Sequence, residues 1–279
     1  CTSLAWALLG STIFFRTYGS DSSLRNRVVS TWGSPQEQSP PSASFVEAYS
    51  RTVASTRNGK KVVETFQEQR TVALPLESSR IQVALDLEHR QKGLLWYSTY
   101  DVIFSGAYSF RNPSDREQSV TFKLNFPAER AIYDDLVFTI NSVPASVSLS
   151  PTGAVGTAKV GAQKTAILQV GYRSHGLDSW RYKLGGEVAQ LRDFQLHMTT
   201  NFKKIDFPEN TLSPTDKRET PSGWELTWSY KSLFSGFQIG MSMPEKLQPG
   251  PLAGRISYFA PVSLFFFFFL LFIMATIRN

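Results

Sequence analysis

Cysteine is nearly absent: Cys1 is the only one in 279 residues. No internal disulfide and no thiolate metal cluster can form from it. Histidine is scarce as well. His89, His175 and His197 stand far apart, with no His-Glu-x-x-His and no pair at ligand spacing, so no metal site is expected. A Gly-x-Ser-x-Gly elbow is missing, and Gly153 and Gly156 lack the Lys-Ser/Thr that a phosphate-cradling loop needs. No cofactor is implied. Acidic charge is in deficit, giving a net charge of +6 and a pI of about 9.4. The excess base is scattered in pairs such as Lys60–Lys61, Lys203–Lys204 and Lys217–Arg218, and no basic helix collects it. That pattern excludes nucleic acid as a partner and leaves a general attraction to anionic lipid or wall polymer.

What the sequence has instead is a long apolar end. Ile256–Ile277 runs for 22 residues without a charge, between Arg255 and Arg278, and contains Phe265–Phe269 in succession. A helix of about 20 apolar residues crosses a hydrocarbon core of about 30 Å. Apolar on every side, it belongs in lipid. Pro261 is expected in the first turns, where a missing N–H costs least. Tyr258 and Phe259 suit an interfacial anchor. A second apolar run opens the chain, with Leu4, Trp6, Leu8, Leu9, Ile13, Phe14 and Phe15 before Arg16. It is expected to be a transmembrane helix entered part-way, with a lipoprotein start at Cys1 or a retained signal-peptide core as alternatives. Ser20–Ser44 is polar and holds Gly33, Pro35, Pro40 and Pro41. Within it SLRNRVVSTWG suits a short helix carrying Val28, Val29 and Trp32 towards a partner, and QSPPSAS suits a stiff linker.

Between the apolar ends the pattern has period two. Ile81, Val83, Leu85 and Leu87 alternate with Gln82, Asp86 and Glu88, with Ala84 the one apolar residue on that other face. Val102, Phe104, Gly106, Tyr108 and Phe110 share a face, as do Val120, Phe122, Leu124 and Phe126, then Leu168, Val170 and Tyr172. Phe194, Leu196 and Met198 continue it, followed by Trp224, Leu226, Trp228 and Tyr230. Such alternation marks strands with one buried face. Turn signals separate them at Arg111–Asp115, Ser150–Gly153, Ser174–Gly176 and Asn210–Pro214. No amphipathic helical pattern alternates with the strands, which argues against a parallel α/β sheet. The expected fold is mainly β, an antiparallel β-sandwich-like domain flanked by transmembrane helices. The expected layout is a truncated helix over 1–15, a polar linker over 16–44, the β-rich domain over 45–250, and a span over 256–277. Pro249-Gly250-Pro251 reads as a stiff joint before the membrane. Two spans put both ends on one side of the membrane. Arg25, Arg27 and Arg278 do not decide which side.

One stretch assembles chemically capable side chains: Arg173, Ser174, His175, Asp178 and Trp180. Arg173, His175, Asp178 and Trp180 are the candidate binding loop. A Ser–His–Asp set can be drawn there, although adjacency in sequence is not triad geometry. The plainer reading is a structured turn whose polar side chains satisfy backbone groups. Trp180, Trp224 and Trp228 are candidates for a sugar-stacking platform, against the plainer reading that Trp224 and Trp228 line a core face. Asp134–Asp135 lacks the loop of alternating oxygens that calcium needs and reads as a solvated strand entry.

Several segments resemble the bacterial inner-membrane cell-envelope integrity proteins of the CreD type. Trp32-Gly33-Ser34-Pro35-Gln36 is similar to the Trp-Gly-x-Pro-Gln pattern after that family's first membrane helix. Leu74-Pro75-Leu76 followed by Ile81–Tyr108 is similar to its next section, with Arg90–Gly93 as a turn, then Tyr97-x-x-Tyr100-x-Val102 and Ser105-Gly106. Thr199–Phe202, Asp206–Glu209 and Pro249–Leu252 resemble segments of a divergent branch, and Pro40-Pro41-Ser42 departs from the family pattern. The resemblance implies an N-terminal helix, a large periplasmic β-domain and C-terminal helices, of which this chain would be a fragment. It implies a multi-pass protein of the bacterial inner membrane, non-catalytic, with a role in envelope integrity or stress response. The partners implied are the lipid bilayer and periplasmic or cell-wall components. The family offers no catalytic residues to carry over. The rival expectations are a membrane-anchored hydrolase using the His175–Asp178 loop and a carbohydrate-binding module.

Overall fold

The computed structural model describes residues 2–57, 60–93, 95–129, 131–184 and 189–278. Cys1 and Asn279, at which the two terminal expectations begin and end, lie outside them. The chain is mainly β, with one helix at each end.

The large sheet has eight strands in the order β14 (Asp216–Glu219), β15 (Trp224–Ser235), β13 (Ala189–Thr200), β4 (Leu76–Lys92), β5 (Leu95–Arg111), β11 (Thr165–Leu177), β7 (Tyr133–Ile140) and β8 (Val143–Pro144). A five-stranded sheet has the order β3 (Lys60–Ala73), β2 (Ser42–Arg57), β6 (Gln118–Asn125), β10 (Gly153–Val160) and β9 (Val147–Ser150). The third sheet is β1 (Gln36–Gln38), β12 (Ser179–Tyr182) and β16 (Ile239–Ser242). The turn spacing leads to an expectation of antiparallel pairing throughout, and two pairings depart from it. β13 runs parallel to β4 and β1 parallel to β12. Both are strands distant in sequence, so no hairpin turn dictates their direction.

The six alternating runs bury the residues expected of them. Ile81, Val83, Val102, Phe104, Leu168, Val170, Leu196 and Trp228 all lie on the inner face of the large sheet. That face meets the two smaller sheets across one core. Phe110 meets Phe122 of the five-stranded sheet at 5.9 Å between ring centroids, and Phe104 meets Trp180 of the third sheet at 6.5 Å. Four tyrosines lie in this core. Tyr108 and Tyr182 join hydroxyls at 3.1 Å, Tyr172 donates to Gln38 Oε1 at 2.7 Å, and Tyr100 donates to the Ser179 carbonyl at 2.8 Å. Each buried hydroxyl thus keeps a partner.

The N-terminal half of the chain corrects the expected linker. Helix α1 runs unbroken over Thr2–Trp32, 31 residues or about 46 Å of rod. The 16–44 stretch is therefore mostly helix, and strand pairing begins at Gln36, ahead of the expected domain start at 45. Gly33 ends the helix, with φ at +94° and its N–H on the Val29 carbonyl. Val28, with Leu24, Val29 and Trp32 around it, packs on Leu95, Tyr97 and Leu177 at one end of the large sheet's outer face. The partner of this helix face is the chain's own domain.

Helix α2 covers Pro249–Arg278. Among the described residues it is the one helix long and apolar enough to cross a membrane, with a mean hydropathy of 2.4 over Leu252–Arg278, and its run of phenylalanines is exposed. Pro249 opens it, a position where proline's missing N–H is harmless. The expected joint is thus the first turn of the helix. Pro261 sits in the helix interior rather than in the first turns. The two helices run antiparallel. A Cβ on Gly10 would lie 3.6 Å from Tyr258 N, whereas one on Gly254 would lie 3.6 Å from the Ile13 side chain. Gly10 and Ser257 are buried in this contact. Small residues at such a crossing let helix backbones approach closely.

Candidate functional site

The polar positions of the alternating strands must face away from the core, and on the large sheet they build an open face. Register places them in cross-strand rows. Gln195 stands opposite Arg80, Arg80 opposite Ala107, and Ala107 opposite Gln169. In the next row His197 stands opposite Gln82, Gln82 opposite Ser105, Ser105 opposite Gly171, and Gly171 opposite Val137. The small residues Ser105, Ala107 and Gly171 floor a hollow of about 550 Å³, and longer side chains from β4, β13, β11 and β7 wall it. Arg80 is engaged by Asp193, through its carboxylate at 2.6 Å and its carbonyl at 2.5 Å. Gln169 Oε1 accepts from Thr139 at 3.0 Å, and His197 Nδ1 lies 3.3 Å from Thr227 Oγ1. Among the described residues, the side chains of Gln82, Gln195 and Ser105 have no hydrogen-bond partner.

Further along the same face lies His175. It sits in β11, not in a loop, and its Nδ1 is 2.5 Å from Asp101 Oδ1. Asp101 stands directly opposite Asp86 on β4, and Asn201 donates to Asp86. Two carboxylates facing across a pair of strands repel. Here His175 flanks one and an amide flanks the other, which relieves that repulsion. Trp32 of α1 meets the His175 ring edge-on at 5.7 Å.

The four candidate residues diverge. Arg173 faces outward, 3.7 Å from Asp135. His175 pairs with Asp101 rather than Asp178. Asp178, with φ at +65°, forms the turn after β11 and pairs with Arg25 of α1. Trp180 is fully buried. Ser174 points to the interior, where Gln36 Nε2 donates to its hydroxyl at 2.9 Å. No nucleophile–base–acid set assembles from these side chains. Nor do the tryptophans make a platform. Trp180 and Trp228 lie in the core, and Trp224 is half-buried against it with its indole N–H on the Lys203 carbonyl at 2.8 Å. His89 is in β4, with Nε2 donating to the Pro244 carbonyl at 2.9 Å. Asp134 and Asp135 are exposed at the entry to β7, as expected. Among the described residues, no three His, Cys, Asp or Glu side chains gather to hold a metal ion.

The sequence reading missed two clamps. Gln248, one residue before α2, accepts from the Trp96 N–H at 2.9 Å and donates to the Trp96 carbonyl at 2.7 Å. Lys246 lies over the same Trp96 ring at 4.1 Å. On the α1 side, Arg90 covers the Trp32 ring at 3.3 Å and Gln36 Nε2 donates to the His175 carbonyl at 2.9 Å. Ser34 accepts from the Leu177 N–H at 3.3 Å. Both helices are thus tied to one end of the β5–β11 pair.

No family model matches the chain, and no curated protein matches it. Among solved structures it is similar to a candidate nutrient binding protein from Legionella pneumophila. The identity is 11% and the TM-score 0.41, over 60% of this chain and 68% of that one. It is also similar to an M1 zinc metallopeptidase from Deinococcus radiodurans, at 10% identity and a TM-score of 0.35, over 61% of this chain and 42% of the peptidase. Likenesses this distant carry no argument about fold or chemistry.

Proposed function

We propose that this chain is a non-catalytic, multi-pass protein of the bacterial inner membrane. Its β-sandwich-like domain stands in the periplasm on a pair of transmembrane helices, and it serves envelope integrity or stress response through contacts with periplasmic or cell-wall components. The observation that carries the reading is the double clamp at the domain base. α1 passes without a break from its apolar start to Trp32, and Gln248 fixes the start of α2 to β5. A domain held this rigidly transmits load or displacement to the helices instead of swivelling on a tether. The resemblance to the CreD-type family belongs to this proposal, and Trp32-Gly33-Ser34-Pro35-Gln36, which carries it, forms the α1 clamp. A hydrolase finds little support, because among the described residues no hydroxyl or thiol nucleophile hydrogen-bonds to the His175 ring of the His175–Asp101 pair. A carbohydrate-binding module without aromatic stacking remains compatible with the hollow on the large sheet.

Protease protection on sealed spheroplasts tests the topology, with tags fused before Cys1 and after Asn279. The expected result is a β-domain cut from outside and both tags protected. A domain protected until lysis overturns the periplasmic reading.

A further inference from the structure

We infer that the hollow on the outer face of the large sheet binds a neutral, polyhydroxylated chain, an oligosaccharide strand laid across the sheet. The inference rests on the binding role proposed for the domain and names the surface and the ligand chemistry. The hollow crosses β13, β4, β5, β11 and β7, five strands that at about 4.8 Å spacing span about 19 Å. An extended chain laid across the strands can follow that span.

Its polar side chains are three amides, the Ser105 hydroxyl, the Arg80 guanidinium and the His197 ring, set among apolar atoms. Gln82, Gln169 and Gln195 each present a carbonyl oxygen and an NH₂ group, and a sugar hydroxyl both donates and accepts, so one amide can satisfy both of its roles. Gln82, Gln195 and Ser105 hold no internal bond among the described residues, so these groups are free to turn to a ligand. The lining contains no carboxylate, and its one fixed cation, Arg80, is already paired with Asp193. A strongly charged ligand of either sign therefore meets no charge built to receive it. The floor of Ser105, Ala107 and Gly171 lets a ring approach the backbone.

Other occupants fit less well. A peptide strand adds to a sheet edge, and a peptide lying on a sheet face needs apolar pockets, whereas here Val137 is the exposed apolar side chain on the wall. A bilayer surface would need a broad apolar or basic face. The far end of the same sheet face is occupied by α1, so a bound strand lies beside the helix that leads to the membrane.

The test titrates the full chain, solubilised in detergent, with chitohexaose and maltohexaose, followed by calorimetry and by NMR of labelled glutamine amides. The expected result is saturable binding of at least one hexasaccharide, with the Gln82 and Gln195 amide resonances shifting. Gln82→Ala with Gln195→Ala should weaken it about tenfold or more. Ala107→Trp, which fills the trough from an outward-facing position, should abolish it. Unfolding curves of both variants check that the fold is kept. No saturable binding up to about 10 mM of either sugar overturns the inference, as does binding that both variants leave unchanged. The measurement does not depend on membrane orientation. A chain that binds in detergent but is protected in spheroplasts keeps this site and loses the periplasmic reading.

Discussion

Single residues carry the junction between helix and domain. Gly33 is the sharpest case. Its φ of +94° disfavours any side chain, and a Cβ there would lie 2.4 Å from the His175 carbonyl oxygen. Both effects act against Gly33→Ala, and the neighbour is backbone that cannot swing aside. The substitution should cost about 2 kcal/mol or more in urea unfolding of the detergent-solubilised chain. A change under about 0.5 kcal/mol would mean that the α1 clamp is not formed in solution. The buried tyrosines give a second residue-scale expectation. Loss of hydration pushes the phenols of Tyr100, Tyr108, Tyr172 and Tyr182 well up from 10, and burial pushes Tyr133 up to about 12. Below about pH 10 these groups are neutral in both folded and unfolded chains, so they add no pH dependence. Above it the unfolded chain releases protons that the folded chain retains. Stability should hold up to about pH 10 and then fall steeply as pH rises towards the folded values. Each retained proton steepens the fall by about 1.4 kcal/mol per pH unit. Midpoints of thermal unfolding between pH 7 and 11 read this directly, and a flat profile above pH 10 would mean that the phenols are hydrated.

Among elements, α1 matters most because its two halves do different work. The first half packs antiparallel on α2, and the second half lies on the sheet. Val28 is buried among Leu95, Tyr97 and Leu177, so Val28→Asp puts a carboxylate into an apolar contact. It should cost about 3 kcal/mol or more locally and release the helix end. The readout is tryptic cutting after Arg25 and Arg27, which should accelerate in the variant while the β-core remains folded by circular dichroism. Unchanged cutting would mean that the helix is held by something other than this cluster. The readability of the sequence divides along the same lines. The runs around Ile81, Phe104, Phe122, Leu168, Leu196 and Trp228 were readable because one face of each strand is buried, which writes a period of two into the residues. The middle of α1 reads as a linker because Arg16–Ser23 is polar and carries no apolar stripe. The β2–β3 hairpin is hard to read for a related reason: over 46–52 and 65–72 neither face is buried, so no alternation marks it. Asn58-Gly59, between Arg57 and Lys60, was the signal that was there to use. The hollow could not be read at all. Its walls come from strands brought together by pairings distant in sequence, and each lining residue alone looks like an ordinary solvated strand position.

Across the whole molecule, stability is distributed very unevenly. The large sheet and its two partners share one core, whereas β2 and β3 leave the body as a two-stranded ribbon. β2 pairs with β6 only over Ser42–Ser44, and from Phe45 to Arg57 it pairs with β3 alone. At about 3.3 Å per residue, the 12 pairs from Val46–Thr71 to Arg57–Lys60 extend about 40 Å. Cross-strand contacts near the base, such as Glu47 with Arg70 at 2.7 Å and Gln67 with Ser50 at 2.9 Å, lie at exposed positions. Exposed ion pairs contribute about 0–1 kcal/mol each, and a ribbon of two strands without a covered face is marginal in water. The ribbon therefore opens without unfolding the body. In hydrogen exchange on the full chain, amides of Val46–Arg57 and Lys60–Thr71 should exchange orders of magnitude faster than those of β4 and β5. Replacing 46–71 by an Asn-Gly turn between Phe45 and Val72 should leave the unfolding midpoint of the rest within about 2 °C. Slow exchange along the ribbon would mean instead that it is covered in the folded protein, and cross-linking from Ser50 or Gln67 would then identify what covers it.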